Sequence, residues 1–401
     1  MNVLALVEAP DHVCYRYRIR AFEPTFQALG GSVRVEPLAH NLFPRILQLR
    51  STKKYEVTVV QRRLLAGWQL RILRGRARRL VFDFDDAVLY RDSNDRRGPN
   101  CPRRQQRFRA MMAVADSVIA GNAFLAQCAA DHGAAPDRIH VIPTCVPTER
   151  YPAQPTPNRR QDGLDLVWIG SSSTLKGLEA RADLWQTIGR RFSSLRLRMI
   201  CDRFAEFPPL NVDRVNWSEA TEIAELAQGH AGISWIPEDL WSQGKCGLKV
   251  LQYMAAGLPV IANPYGVHPE MILHGDTGIL VQDPEEWIEA IQWLSLYPGD
   301  RAEMGRASRA RAVQHYSVHA WAGRFLTALT GKSYDIQALP APASGPEPAV
   351  TPRPNKRKDS AAAKTKEPEA NSGQNKRLDP PSQDRQPAPN SIGRQQRSKK
   401  R

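Results

Sequence analysis

At 401 residues, with 42% hydrophobic residues and a formal net charge of +15, the chain has the composition of a globular protein with a basic surface and room for two domains of ordinary size. That balance excludes a fibrous or wholly disordered chain and favours an anionic partner. No run approaches the roughly 18 apolar residues that a membrane span requires.

Taken in chain order, the opening MNVLALVEAP has no basic leader and only a short apolar run, so it reads as a first buried strand and not as a secretion signal. NVLALVEA, SVRVEPL, YEVTVVQ, RLVFDFDD, DSVIAGN and IHVIPT follow as short apolar runs, most of them separated by enough chain for a helix. After the Pro-rich break YPAQPTPNRRQDG comes a second series: LDLVWIGS, LRLRMICD, RVNWSEA, GISWIP, LPVIANP and TGILVQD. Two successive strand–helix series predict an α/β protein of two doubly wound, mainly parallel sheets, with ligands at the carboxyl ends of the strands. From Ser333 the composition turns rich in Pro, Lys, Arg and Gln, which predicts a disordered tail. From Gly331 onward, 15 Lys and Arg stand against 7 Asp and Glu, so +8 of the +15 lies there. Six scattered cysteines without a CxxC pair suit a reduced cytoplasm.

Chemistry is sought where each strand stops. HVCYRYRIRAFEP sets Arg16, Arg18 and Arg20 beyond the first strand, where arginines could hold an acidic or phosphorylated group. Between Arg45 and Arg79 the chain carries eleven Lys or Arg, a basic surface suited to anionic lipid or polysaccharide, or simply to solvent. LVFDFDDAVLYRDS ends a strand with Asp83, Asp85 and Asp86, which read as a carboxylate pair for the reacting centre, as helix caps paired with arginines, or as a DxD metal site. In LVWIGSSSTLKGLEA, a strand runs through Gly170, Ser171 and Ser172 into a helix with Lys176, an arrangement that binds phosphate or merely caps the helix. GKCGLKVLQYMAAGLPVIANPYG spaces Lys245, Lys249 and Gln252 along a helix start and ends in a strand and a glycine turn at Gly266, with Glu270 opening the next helix.

The segment KCGLKVLQYMAAGLPVIANPYGVHPEMILHGDTGILV resembles the nucleotide-sugar-binding region of the GT-B glycosyltransferases, in particular family 4, at Met254, Ala255, Gly257, Pro259, Val260, Gly266, Glu270, Gly278, Leu280 and Val281. WIGSSSTLKG resembles the family's preceding phosphate-binding strand and helix, and carries over Lys176 as a contact to the donor diphosphate. Two departures stand out. The family's pair of glutamates seven residues apart is replaced by Gly244 and Gln252, and the arginine before the phosphate-binding lysine is replaced by serines.

The resemblance implies two Rossmann-like domains facing across a cleft: an acceptor domain over 1–155, a nucleotide-sugar domain over 163–312, a helix over 313–332 returning to the first domain, and the tail over 333–401. It implies transfer of a sugar from a nucleoside diphosphate to an acceptor hydroxyl, with retention. Asp85 and Asp86 are expected at the reacting centre. Gly170, Ser171, Ser172, Lys176, Lys245, Lys249, Gln252, Gly266 and Glu270 are expected to hold the donor, and Arg16 and Arg18 the acceptor. No metal and no cofactor beyond the donor substrate are expected. The expected partners are a nucleotide sugar and a glycan or lipid-linked acceptor, in the cytoplasm or peripherally at an anionic inner membrane face. An inactive nucleotide-sugar-binding protein is the alternative; a nucleic-acid-binding protein rests on charge alone.

Overall fold

The computed structural model describes residues 1–152 and 159–334; the predicted tail lies outside them apart from Ser333 and Tyr334. The first domain is built from β1 (Asn2–Val7), α1 (Val13–Arg18), α2 (Glu23–Ala28), β2 (Ser32–Pro37), α3 (Leu42–Ser51), β3 (Val57–Gln61), α4 (Gly67–Arg74), β4 (Leu80–Phe84), α5 (Pro102–Val114), β5 (Ser117–Ala120), α6 (Ala123–Asp131) and β6 (Ile139–Val141). Its strands form one parallel sheet in the order β2-β1-β3-β4-β5-β6. The inner strands read as unbroken apolar runs because helices cover both faces. Leu4, Leu6, Phe82 and Phe84 meet α3 to α6 on one side, and Val3, Ala5 and Val59 meet α1 and α2 on the other.

The second domain repeats the plan with β7 (Asp165–Ile169), α7 (Ser172–Glu179), α8 (Ala182–Arg191), β8 (Arg196–Cys201), β9 (Asn211–Asn216), α9 (Glu222–Leu226), β10 (Ala231–Ser234), α10 (Leu240–Gln243), α11 (Leu248–Ala255), β11 (Val260–Ala262), α12 (His268–Met271), β12 (Gly278–Leu280) and α13 (Pro284–Leu296). Its strands are also parallel, in the order β12-β11-β10-β7-β8-β9. All twelve runs identified in the sequence are strands.

The return to the first domain differs in detail from the expectation. α14 (Pro298–Tyr316) runs past residue 312 and packs on α11, and α15 (Val318–Thr330) begins only after Ser317. The break arises because Ser317 is extended and caps α15, accepting from the Ala320 N–H at 3.2 Å, while its neighbours pair with Val146. α15 then completes the first domain's core: Phe325 stacks on Phe22 at 4.1 Å between centroids, and Arg79 donates to the Leu329 carbonyl at 2.7 Å. Phe325→Ala is expected to cost about 3–5 kcal/mol, read as a lower thermal midpoint.

Candidate active site

The carboxyl ends of both sheets meet, and the contact between them begins with a buried polar knot. Arg16 of α1 ion-pairs with Glu222 of α9, both almost fully buried. Tyr17 donates to Glu222 Oε1 at 3.0 Å, Trp217 Nε1 donates to its other oxygen at 2.9 Å, and Gln252 Nε2 of α11 donates to the Tyr17 hydroxyl at 3.1 Å. Arg20 pairs with Glu219 beside it.

Two residues expected to bind ligand lie in this knot. Arg16, expected at the acceptor, is ion-paired with Glu222. Gln252, expected at the donor, is 4% exposed and hydrogen-bonded to Tyr17 of the other domain. Tyr17 gives its proton to Glu222, so its oxygen can only accept, and it does so from Arg16 at 3.3 Å and from Gln252, a second donor that a carboxylate at 252 would not supply. A glutamate at 252 would place a second carboxylate near Glu222 as well.

Arg18, also expected at the acceptor, is enclosed within the first domain. It is 2% exposed, donates to Asp83 Oδ1 at 2.6 Å and to the Ile142 carbonyl at 2.7 Å, and so ties α1 to β4 and the end of β6 inside the first domain. Gln61 donates to the remaining Asp83 oxygen at 3.1 Å. A guanidinium so enclosed has no surface to offer an acceptor.

A second contact involves Gly244, the other position at which the resemblance leads to the expectation of a glutamate. Residues 244–246 enter the first domain between the ends of β4 and β5. Asn122 Nδ2 donates to the Gln243 and Lys245 carbonyls at 3.1 and 3.2 Å, and Cys246 joins the first domain's apolar core. A Cβ on Gly244 would lie 2.6 Å from the Ala87 Cβ and backbone nitrogen, and one on Gly121 would lie 2.3 Å from the Cys246 sulfur. Glycine at 244 is what this approach requires.

Asp85 and Asp86 follow β4 at this same junction. Arg62, at the end of β3 with φ +58°, pairs with Asp86 at 2.6 Å and lies 3.6 Å from Asp85; it also meets the Cys14 thiol. Burial alone would raise the Asp85 pKa, but Arg62 and then Arg18 outweigh it and hold the carboxyl below its usual range. Burial, reinforced by Asp85, pushes the Cys14 thiol up, so it stays protonated. Cys14, Asp85 and Asp86 lie close enough together to share a cation, with Arg62 already among them. Lys245 reaches across from the second domain, its Nζ 3.4 Å from Asp86 Oδ1.

In the second domain, Gly170 sits against Trp168 and Thr174, where a Cβ would lie within 2.6 Å of both. The Ser171 N–H donates to Thr174 Oγ1 at 3.0 Å, and Ser172 N–H at the start of α7 donates to Asp202 at 2.7 Å. Hydrogen bonding from the Ser172 side chain, offset in part by burial and joined by the Ser172 N–H, holds Asp202 below the ordinary carboxyl range. Lys176 is exposed on α7. Lys249, on the first turn of α11, lies over the Trp168 ring at 4.4 Å; burial, then the neighbouring Lys245, brings its ammonium down to about 7 from 10.5. Gly266 turns at φ +58° beside Ser242. Glu270 is not brought to this group: its side chain is exposed, and its carbonyl accepts from Arg311 of α14 at 2.7 Å.

The structure therefore brings Lys245 to Asp86, and Lys249 to the Trp168–Gly170 strand end. The sequence reading missed Glu222, Tyr17, Arg62 and Cys14, as well as His268, which is buried between Ser234 Oγ at 3.1 Å and the Asn263 carbonyl at 2.8 Å and is driven by that burial down to about 4. Cys14, Tyr17, Arg62 and His268 lay inside stretches already singled out, but none was given a role there; Glu222 lay in none.

Two parallel doubly wound sheets with their carboxyl ends opposed constitute the GT-B architecture, and solved structures agree. HepE from Anabaena, determined in complex with UDP-glucose, superposes with a TM-score of 0.62 at 13% identity, over 83% of this chain and 100% of that one. Sucrose-phosphate synthase from Thermosynechococcus elongatus superposes at 0.61 and 15%, over 82% and 98%. Residues 163–296 match the family described as Glycosyl transferases group 1, so the chain has the GT-B fold and its second domain is similar to that family. It is 27% identical over 232 residues to D-inositol 3-phosphate glycosyltransferase from Pseudarthrobacter chlorophenolicus, covering 53% of this chain and 55% of that one. It is 26% identical over 217 residues to alpha-maltose-1-phosphate synthase from Mycolicibacterium smegmatis, covering 45% and 54%. The chain thus spans about half the length of these curated relatives.

Restoring glutamate at the two divergent positions is expected to harm the junction. Gln252→Glu should lower stability by about 3 kcal/mol at neutral pH, read by denaturant unfolding. The loss should shrink as pH falls, because protonation removes the added charge. Gly244→Glu should separate the domains, read as a larger radius of gyration in X-ray scattering.

Proposed function

We propose that the protein transfers a sugar from a nucleoside diphosphate to an acceptor hydroxyl, with retention of configuration and without a metal. The observation that carries this reading is the Lys245–Asp86 pair, 3.4 Å long, which joins the donor domain's cations to the first domain's carboxylates at one point. Lys249, Lys245, Lys176 and the start of α7 would receive the diphosphate, and a departing diphosphate needs that positive charge. Two internal carboxylates occupy places an anionic ligand would contest: Asp202 on the Ser172 N–H and Asp86 on Lys245. Donor entry would displace both, freeing Asp86 to face the sugar beside Asp85, where carboxylates stabilise positive charge at the anomeric carbon or orient the acceptor hydroxyl. Arg62 already offsets one of the pair's two negative charges, which supports chemistry without a divalent ion. The setting is an aqueous compartment, with the donor and a glycan or lipid-linked acceptor as partners.

The second reading, a nucleotide-sugar-binding protein without turnover, draws on the junction itself: both glutamate positions are committed to interdomain packing. Transfer and hydrolysis assays with UDP- and GDP-sugars decide between them. Turnover that survives EDTA supports the transferase, turnover lost with EDTA overturns metal independence, and binding without turnover on any acceptor favours the second reading.

Lys249→Ala is expected to weaken UDP-glucose binding several-fold in calorimetry. With an ammonium titrating at about 7, the charged form that attracts diphosphate predominates below that pH. Wild-type affinity should therefore fall as pH rises from 7 toward 9, and the Lys249→Met variant should show no such slope. The sign for stability is the reverse. The unfolded lysine holds its proton up to about 10.5, so stability rises with pH between the two values.

A further inference from the structure

We propose that the face formed by α3 and α4 docks the protein on an anionic phospholipid bilayer. Leu42, Phe43 and Leu47 of α3 are 56, 79 and 65% exposed, and Trp68 of α4 is 40% exposed. No other described helix pair gathers so many large apolar side chains in solvent. The two helices pack together and run parallel, because both leave the carboxyl end of the same sheet, after β2 and after β3. Their apolar starts therefore lie side by side on the rim that also carries Arg62, Asp85 and Asp86.

Charge identifies the occupant. Between Arg45 and Arg79 the only acid among eleven Lys and Arg is Glu56. Arg50, Lys53, Lys54, Arg71, Arg76 and Arg78 are exposed and form no ion pair among the described residues. The nearby acids are already paired, Glu36 with Arg34 and Gln48, and Glu8 with Arg63. An apolar patch with a tryptophan near the starts of α3 and α4, with unpaired cations toward the far ends of the same two helices, matches the acyl boundary and the anionic headgroups of a bilayer along which the helices lie. A second copy of the chain would bring the same cations against each other. Docking does not depend on the transferase reading, since it is measured without turnover; if that reading holds, the rim would present lipid-linked acceptors to the cleft.

The test is flotation of the full chain with phosphatidylcholine vesicles, with and without phosphatidylglycerol. Binding is expected only to the anionic vesicles and to weaken with salt. Phe43→Asp with Leu47→Asp should lower the partition coefficient at least about tenfold, as should Arg71→Gln with Arg76→Gln and Arg78→Gln, whereas Leu296→Asp at an exposed site on the second domain should not. Lipids brominated in the acyl chain should quench fluorescence in the wild type more than in Trp68→Phe. The proposal is overturned if the α3 variants bind like the wild type, if binding disappears only on neutralising Lys356, Arg357 and Lys358 of the tail, or if the α3 variants change the oligomeric state while vesicle binding persists.

Discussion

The buried Glu222 carboxylate, held by Arg16, Tyr17 and Trp217, is the interaction on which the rest of the cleft depends. A charge removed from water is tolerated only with a full set of partners, and here they come from both domains. Sliding one domain over the other would strand Glu222 or Arg16 in an apolar setting, so the knot selects one arrangement. Residues 244–246 can then reach Ala87, Gly121 and the first domain's core, and Lys245 can reach Asp86. The knot and the loop entry are two halves of the same constraint.

That constraint gives physical meaning to Gly244 and Gln252. Where the resemblance leads to the expectation of two glutamates, close backbone approach requires a glycine at 244, and the Tyr17 hydroxyl, bound to Glu222, takes donors from Arg16 and from the Gln252 amide. The positive charge of the donor side stands on lysines that are poorly compensated: Lys249 faces a ring and another lysine and loses proton affinity accordingly. An anionic ligand would relieve this repulsion, and that links the electrostatics of the site to the proposed chemistry.

The strands were legible because burial on both faces demands runs such as NVLALV and LVFDF, whose length and β-branched content are local properties. Lys249 was legible for a similar reason, since its place at the start of α11 is a local property, whereas Lys245, read on the same helix, lies in the turn before it. The roles of Arg16, Arg18 and Gln252 were not. Each sits in a segment that looks solvent-facing, and each is buried by a partner far away in sequence: Glu222, Asp83 and Tyr17. Charge alone does not reveal whether an arginine meets water or an internal carboxylate.

The sequence by itself therefore determined the two doubly wound sheets, the strand ends where ligands gather, and the basic stretch after Arg45, because periodicity, turn chemistry and composition act over a few residues. Only the tertiary structure decided which charges remain free. Ion pairs such as Arg16–Glu222 and Lys245–Asp86 join residues from different domains, and their energy depends on distance and burial that no local pattern encodes.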